Sequence, residues 1–227
     1  LLLVSALATA VVLALPRFLL GSRLPSQSGV AVFLWYFLAI GAGYILIQVA
    51  LVQKFVLFLG HPTYALTVII FSMLVSSGLG SYFSQRVTAD RETRIQTVLA
   101  GIAALVGALA VAVSPLLGAG VGLPLPLKLI VSALLIAPAG FLMGMPFPAG
   151  LRRLERLHSD SVRWAWSLNA AASVLGSVGA IVLAIYLGLR ETLLLGGGLY
   201  LCALLALHLS RRRALDSETI AAEVPLK

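Results

Sequence analysis

The sequence predicts an all-α, polytopic membrane helical bundle of about seven transmembrane helices, its N-terminus outside and its C-terminus cytoplasmic. Three observations carry that prediction. Of 227 residues, 60% are hydrophobic and only 11% charged, where a soluble domain carries about 25% charged residues; mean hydropathy is +1.06. The apolar residues gather into stretches of about 20, the length that crosses roughly 30 Å of hydrocarbon. The basic residues alternate between the two ends of those stretches. Such a composition excludes a water-soluble fold, a disordered chain and a disulfide-stapled secreted domain. The chain opens on Leu1 rather than Met and reads as a piece of a longer polypeptide.

Spans are expected at 1–20, 30–58, 64–84, 95–118, 127–149, 164–187 and 192–210, so that 1–210 forms one transmembrane helical domain and 211–227 a cytoplasmic tail. Residues 1–20 lack the basic start and small-residue cleavage site of a signal peptide, and count as a span. The second stretch is long enough for Gln53–Phe58 to tilt or lie at the interface. Gly60-His61-Pro62 then forms a turn, because Pro62 forbids helix continuation and biases His61 toward extended geometry. Gly118–Pro126 separates the fourth and fifth spans as a Gly/Pro-rich turn. The fifth closes on Gly144-Met145-Pro146-Phe147-Pro148, where Pro146 and Pro148 remove two amide donors and break the helix. That segment is either a kinked exit from the bilayer or a non-helical piece lining a cavity, tolerated at depth only under a cover of protein or water. In the sixth span, Asn169, Ser173, Gly176, Ser177 and Ala180 make a small, polar stripe at helical spacing, suited to close helix packing. Gly196–Gly198 reads as a packing or flexing feature of the seventh. Cys202, the single cysteine, reads as a small buried hydrophobe.

Charge fixes the orientation. Arg17, Arg23, Arg86, Arg91, Arg94, Arg152, Arg153, Arg156, Arg163, Arg211–Arg213 and Lys227 fall on one side, 13 in all, against Lys54, Lys128 and Arg190 on the other. The richer side is cytoplasmic by the positive-inside bias. The formal charge of +8 therefore points to a bilayer with anionic lipids on its cytoplasmic side as the partner, not to nucleic acid. Trp35, Tyr36, Trp164 and Trp166 sit at span ends, where aromatic belts are expected.

The missing chemistry is as informative. No acidic residue precedes Asp90, and none lies in the middle of a span. Ion-coupled carriers commonly place a carboxylate near the midplane, so an autonomous carrier is disfavoured, as is a carboxylate metal site. Gly41-Ala42-Gly43 imitates a nucleotide-binding turn, but it lies inside an apolar span with no acid at the right distance. No Ser/His/acid set gathers into a nucleophilic triad. The chain is expected to hold no cofactor, no metal and no catalytic residue of its own.

The remaining candidates for ligand binding or interhelical polar contact are Gln48, Lys54, His61, Tyr64 and Asn169. Gln48 stands mid-span and should face the bundle, where it either bonds a neighbouring helix or meets a substrate or headgroup. His61 either caps carbonyls at the end of the second span or binds an anion together with Lys54. Asn169 lies just below Trp164 and Trp166. Pro62, Pro146 and Pro148 break helices, and Ser173 and Gly176 serve packing.

Three stretches together resemble a known family. GAGYILIQVALVQKFVLFLGHPTYALTVIIFSMLVSSGLGSYFS, from Gly41, is similar to the membrane part of large bacterial spermidine-synthase-like proteins. GMPFPAGLRRL from Gly144 and WAWSLNAAASVLGSVGA from Trp164 resemble later parts of the same region, in the same order. The resemblance covers most of 30–190 and implies a transporter-like membrane domain in the bacterial cytoplasmic (inner) membrane, joined to a soluble aminopropyltransferase-like domain. That domain's polyamine chemistry would lie outside this chain. The family often carries Glu at the position of Gln48; the amide here removes a buried carboxylate and any proton or cation role with it. Two other expectations remain: an accessory subunit of a larger membrane complex, packed through its glycine-rich helices, and half of a small-molecule or lipid transporter. The last would show a polar cavity near the bilayer centre, bordered by Gln48 and Asn169.

Overall fold

The computed structural model describes residues 30–88, 92–157 and 159–223, together with the helical Leu3 and Leu7, and it describes side chains up to Leu209. The expected first span thus falls almost wholly outside the described residues. Those described are helical apart from short turns: α1 (Val30–Leu59), α2 (Pro62–Thr88), α3 (Glu92–Ala119), α4 (Leu125–Met143), α5 (Pro146–Leu157), α6 (Val162–Tyr186) and α7 (Leu189–Glu223). A single 3-10 turn, Ser159–Ser161, joins α5 to α6. Six stretches are long and apolar enough to cross a membrane: 31–59, 62–88, 93–119, 125–156, 162–186 and 189–209. The chain is a multi-pass helical membrane bundle by this measure. Seven spans would require residues 1–20 as well.

The turns follow from local stereochemistry. α1 ends at Gly60, whose φ of +77° is open to glycine at little cost, and whose amide bonds back to Val56 O at 3.0 Å. Gly188, at φ +104°, ends α6 in the same way, its amide reaching Leu183 O at 3.2 Å. Pro124 precedes α4 in extended geometry, and its missing donor costs nothing there. The break inside the expected fifth span is shorter than the two prolines foretold. Only Gly144 and Met145 leave the helix, and Pro146 opens α5, the position where proline fits best.

α1 is the hub and contacts every other described helix, most extensively α6 and α7; α2 packs on α4, and α3 on α7. Tyr36, Phe37, Ile47, Leu51 and Phe55 of α1 are fully buried and meet Ile69 and Met73 of α2, Leu99 and Ile102 of α3, and Ile136 of α4 in one core. Phe71, Leu79 and Tyr82 of α2, Leu134 of α4 and Ile185 of α6 point outward. On a soluble protein they would form an untenable apolar surface; in a bilayer they face a solvent as apolar as themselves.

Because lipid does not drive helices together as water does, close backbone approach must. At Gly80 an added Cβ would run into the Phe141 carbonyl, at Gly144 into that of Ser77, and at Gly140 into the Ser76 hydroxyl. Three glycines thus bring α2 onto the α4–α5 limb. Gly41 and Gly43 do the same for α1: their Cβ atoms would stand 2.6 Å from Asn169 Nδ2 of α6 and 3.0 Å from Gly196 O of α7. The Gly41-Ala42-Gly43 imitation of a nucleotide turn is a packing surface.

Several expectations change. Tyr36 and Trp164 do not belong to an aromatic belt: Tyr36 is fully buried and Trp164 is 4% exposed, while Trp35 and Trp166 face outward. The Tyr36 hydroxyl donates to Pro146 O at 2.7 Å, so a residue with a polar tip has turned inward to serve the helix break. Cys202 is exposed on α7 rather than buried. The helix of the seventh span runs past 210 to Glu223, although its apolar part ends at Leu209.

Gly80→Ala is expected to cost about 1–3 kcal/mol through overpacking, read as a lower midpoint in detergent unfolding. Gly78→Ala, two residues away with nothing within 4 Å of its added Cβ, should leave the midpoint unchanged or raise it slightly.

Candidate functional site

α2 and α6 make at most marginal contact with each other, although both pack on α1. Between them lies a cavity of about 400 Å³. Leu74, Ser77, Gly78 and Ser81 of α2 form one wall, and Asn169 and Ser173 of α6 the other. Ile40, Gly41 and Tyr44 of α1, with Tyr200 of α7, make the floor, and Met143, Gly144, Phe147 and Pro148 line one end. From Leu74 to Ser81 the wall rises about 10 Å along the helix, about two turns.

Its polar groups are few and held in place. Asn169 Nδ2 donates to Phe37 O of α1 at 3.0 Å, fixing the amide across the α1–α6 contact. Ser173 Oγ donates to Asn169 O at 2.9 Å, and Ser77 Oγ to Leu74 O at 3.3 Å. The Tyr44 hydroxyl pairs with the Ser77 side chain, bridging α1 and α2. Phe147 packs edge-on against Trp166, centroids 4.7 Å apart, and against Phe37 at 5.5 Å, which anchors the break in the cleft wall. No lining residue is charged at neutral pH. The cleft thus offers apolar surface and hydroxyl, phenol and amide groups, with no carboxylate for a cation.

The sequence-derived candidates divide. Asn169, Ser173 and Pro148 line the cleft, and the short break at Gly144 lines it too, so the cavity-lining alternative for that segment describes it better than a mere exit kink. Gly176 packs against Ala42 of α1, its Cβ position 3.3 Å from that residue's Cα. Pro146 supplies the carbonyl that Tyr36 holds. Gln48 is half-buried away from the cleft, and its side chain has no hydrogen-bond partner among the described residues; it does not border the cavity with Asn169.

Lys54, His61 and Tyr64 lie elsewhere, at the end of the bundle where α1 passes into α2. Lys54 donates to Ser114 of α3 at 2.9 Å, and Lys128 stands over the Phe58 ring at 5.2 Å. His61 Nδ1 accepts the Thr63 amide at 3.2 Å. It therefore caps the start of α2 rather than the carbonyls ending α1. Exposed Pro62 opens α2, and Tyr64 packs beside the His61 ring at 5.8 Å. No described contact joins Lys54 to His61.

The opposite end carries what sequence reading missed. Arg152, on the first turns of α5, donates through Nη2 to Ser84 Oγ and Thr88 Oγ1 of α2, both at 3.2 Å. Ser77, Ser81, Ser84 and Thr88 recur at intervals of four, three and four, one helical face; that stripe was readable and names both the cleft wall and the seat of Arg152. Tyr44 and Tyr200 carried no such signal. Among the described residues, no three His, Cys, Asp or Glu side chains gather to hold a metal.

No family model, no curated protein and no solved structure matches this chain.

The cleft predicts an accessibility pattern. With Cys202 replaced by Ala, Ser77→Cys should react readily with a small methanethiosulfonate reagent. Ser76→Cys, at a site only 7% exposed, should react at least about tenfold more slowly, in keeping with access control of thiol chemistry.

Proposed function

We propose that this chain is the integral membrane domain of a spermidine-synthase-like protein in a bacterial inner membrane. It anchors or accompanies a soluble aminopropyltransferase-like domain, and it holds a small amphipathic molecule in the cleft between α2 and α6. It performs no catalysis itself. One observation carries the reading. The stretches that give the family resemblance are scattered over more than 130 positions, yet each sends residues to the same cleft: Gly41 and Tyr44, then Ser77, Gly78 and Ser81, then Gly144, Phe147 and Pro148, then Asn169 and Ser173. Helix packing alone would not need them at one open place.

The cleft's chemistry narrows the ligand. A polyamine carries several cationic amines and would leave water for a site without a carboxylate, an unfavourable exchange. An uncharged or mainly apolar group loses nothing there. The cleft therefore suits a lipidic or neutral amphipathic molecule better than the polyamine of the soluble chemistry.

The orientation in this reading puts the arginine-bearing end of α5 at the cytoplasmic face. Arg86, Arg94, Arg152, Arg153 and Arg156 share the end where α2 meets α5, while Lys54 and Lys128 share the other. That separation in space accords with positive-inside insertion.

Two measurements test the proposal. Val121→Cys, in the turn between α3 and α4, should take up a membrane-impermeant thiol reagent in intact cells, and Arg156→Cys only after permeabilisation; the reverse pattern overturns the orientation. Intact mass and peptide mapping of the natively expressed polypeptide should give a mass well above 23.9 kDa, with soluble-domain peptides in the same chain or in a tightly bound one. A product of that mass alone, purifying with unrelated membrane subunits, would instead support the accessory-subunit reading.

A further inference from the structure

The Arg152 corner and the cleft adjoin on two elements at once. Along α5, Arg152 lies four residues beyond cleft-lining Pro148. Along α2, Ser84 and Thr88 lie three and seven residues beyond cleft-lining Ser81. Both spacings are one or two helical turns on the same face, so the guanidinium stands just beyond the end of the cleft that Pro148 and Ser81 line.

That guanidinium is oriented by two hydroxyls, with no carboxylate on it among the described residues. Ser84 Oγ gives its own proton to Ser81 O at 2.6 Å, and Thr88 Oγ1 gives its proton to Ser84 O at 2.6 Å. Their lone pairs are thereby turned to receive Arg152, and both do so through Nη2 alone. A guanidinium has five N–H donors in a planar fork, so the Nε and Nη1 donors remain without a partner among the described residues. Among the described residues the charged neighbour of Arg152 is Arg156, one turn on, which adds like charge. A half-buried, pre-oriented arginine at a membrane interface is matched to an oxyanion that accepts two parallel hydrogen bonds, a phosphate above all.

We propose that the cleft and Arg152 form one site for an anionic phospholipid, its headgroup phosphate on the Arg152 fork and part of an acyl chain laid into the cleft. The proposal rests on the cleft being a ligand site and names the ligand's class. The shared chemistry with any free phosphate is the oxyanion; the cleft is what selects the acylated form. Its uncharged lining, with a wall about 10 Å long from Leu74 to Ser81, suits a chain, and Gly78, with nothing within 4 Å of its Cβ position, keeps that wall thin where the chain would lie.

The test is native mass spectrometry of the full chain released from detergent with graded phosphatidylglycerol, diacylglycerol of the same chains, and the deacylated headgroup glycerophosphoglycerol. Retention of phosphatidylglycerol should exceed that of the other two. Arg152→Gln should lower it about tenfold, the scale of a lost charge-assisted fork, and Gly78→Leu should lower it by filling the cleft while leaving the unfolding midpoint intact. Arg86→Gln removes an equal charge from the same end, where Arg86 lies over Phe83, and should change little. Equal losses from Arg86→Gln and Arg152→Gln would reduce the effect to general surface charge and overturn the proposal. So would headgroup binding as tight as lipid binding, or diacylglycerol retained equally well. If Gly78→Leu abolishes retention and Arg152→Gln does not, the cleft remains a ligand site and only the phosphate assignment falls.

Discussion

The bundle depends on how closely α1 and α2 let other backbones approach. In a bilayer, apolar side chains gain little by meeting one another rather than lipid, so contact between helices must come from dispersion at short range and from directed polar bonds. Gly41 and Gly43 give α1 two such approaches, to α6 and to α7, and Gly80, Gly140 and Gly144 lock α2 to the α4–α5 limb. Tyr36 adds the polar counterpart, donating its hydroxyl to the Pro146 carbonyl at the start of α5. Remove the close approaches and the large side chains of α1 have no fixed surroundings to fill.

The cleft is a by-product of those same contacts. α6 packs on one flank of α1 and α2 packs on α4, so α6 and α2 make at most marginal contact, while Tyr44 ties α2 back to α1 through Ser77. The break at Gly144 and Met145 then brings this end of the opening against the Ser77 backbone, where Gly144 leaves room for the close approach. The Ser77 and Ser173 hydroxyls and the Asn169 Nδ2 group along the opening already donate to backbone carbonyls, so an apolar guest need not displace those bonds.

Much of the architecture was legible in the sequence, for a simple reason. Length and apolarity of each span answer to the bilayer alone, so the boundaries of α1, α2, α3 and α6 fall within a few residues of those expected. Asn169 and Ser173 were legible as a stripe, and the Ser77–Thr88 stripe was equally so. What failed were inferences about direction around a helix. Tyr36, Trp164 and Cys202 sit on spans apolar on every face, where no periodicity tells inside from outside. Gln48 stood out by polarity, yet its partner depends on which helices come near, and that is set by glycines far away in sequence. Tyr200 became part of the cleft floor for the same reason.

The break after Met143 also sets a length. α4 has 19 residues, about 28 Å at 1.5 Å per residue, close to the roughly 30 Å of hydrocarbon in an ordinary bilayer. α1 has 30 residues, about 45 Å, and its surplus must tilt or emerge. The short helix is therefore the gauge of membrane thickness. Because α4 carries α5 at its end, a thicker bilayer would draw the amphipathic α5 and its arginines down toward hydrocarbon, and a thinner one would lift them clear. The depth at which the cleft mouth meets the headgroups is thus a property of the host membrane as much as of the protein.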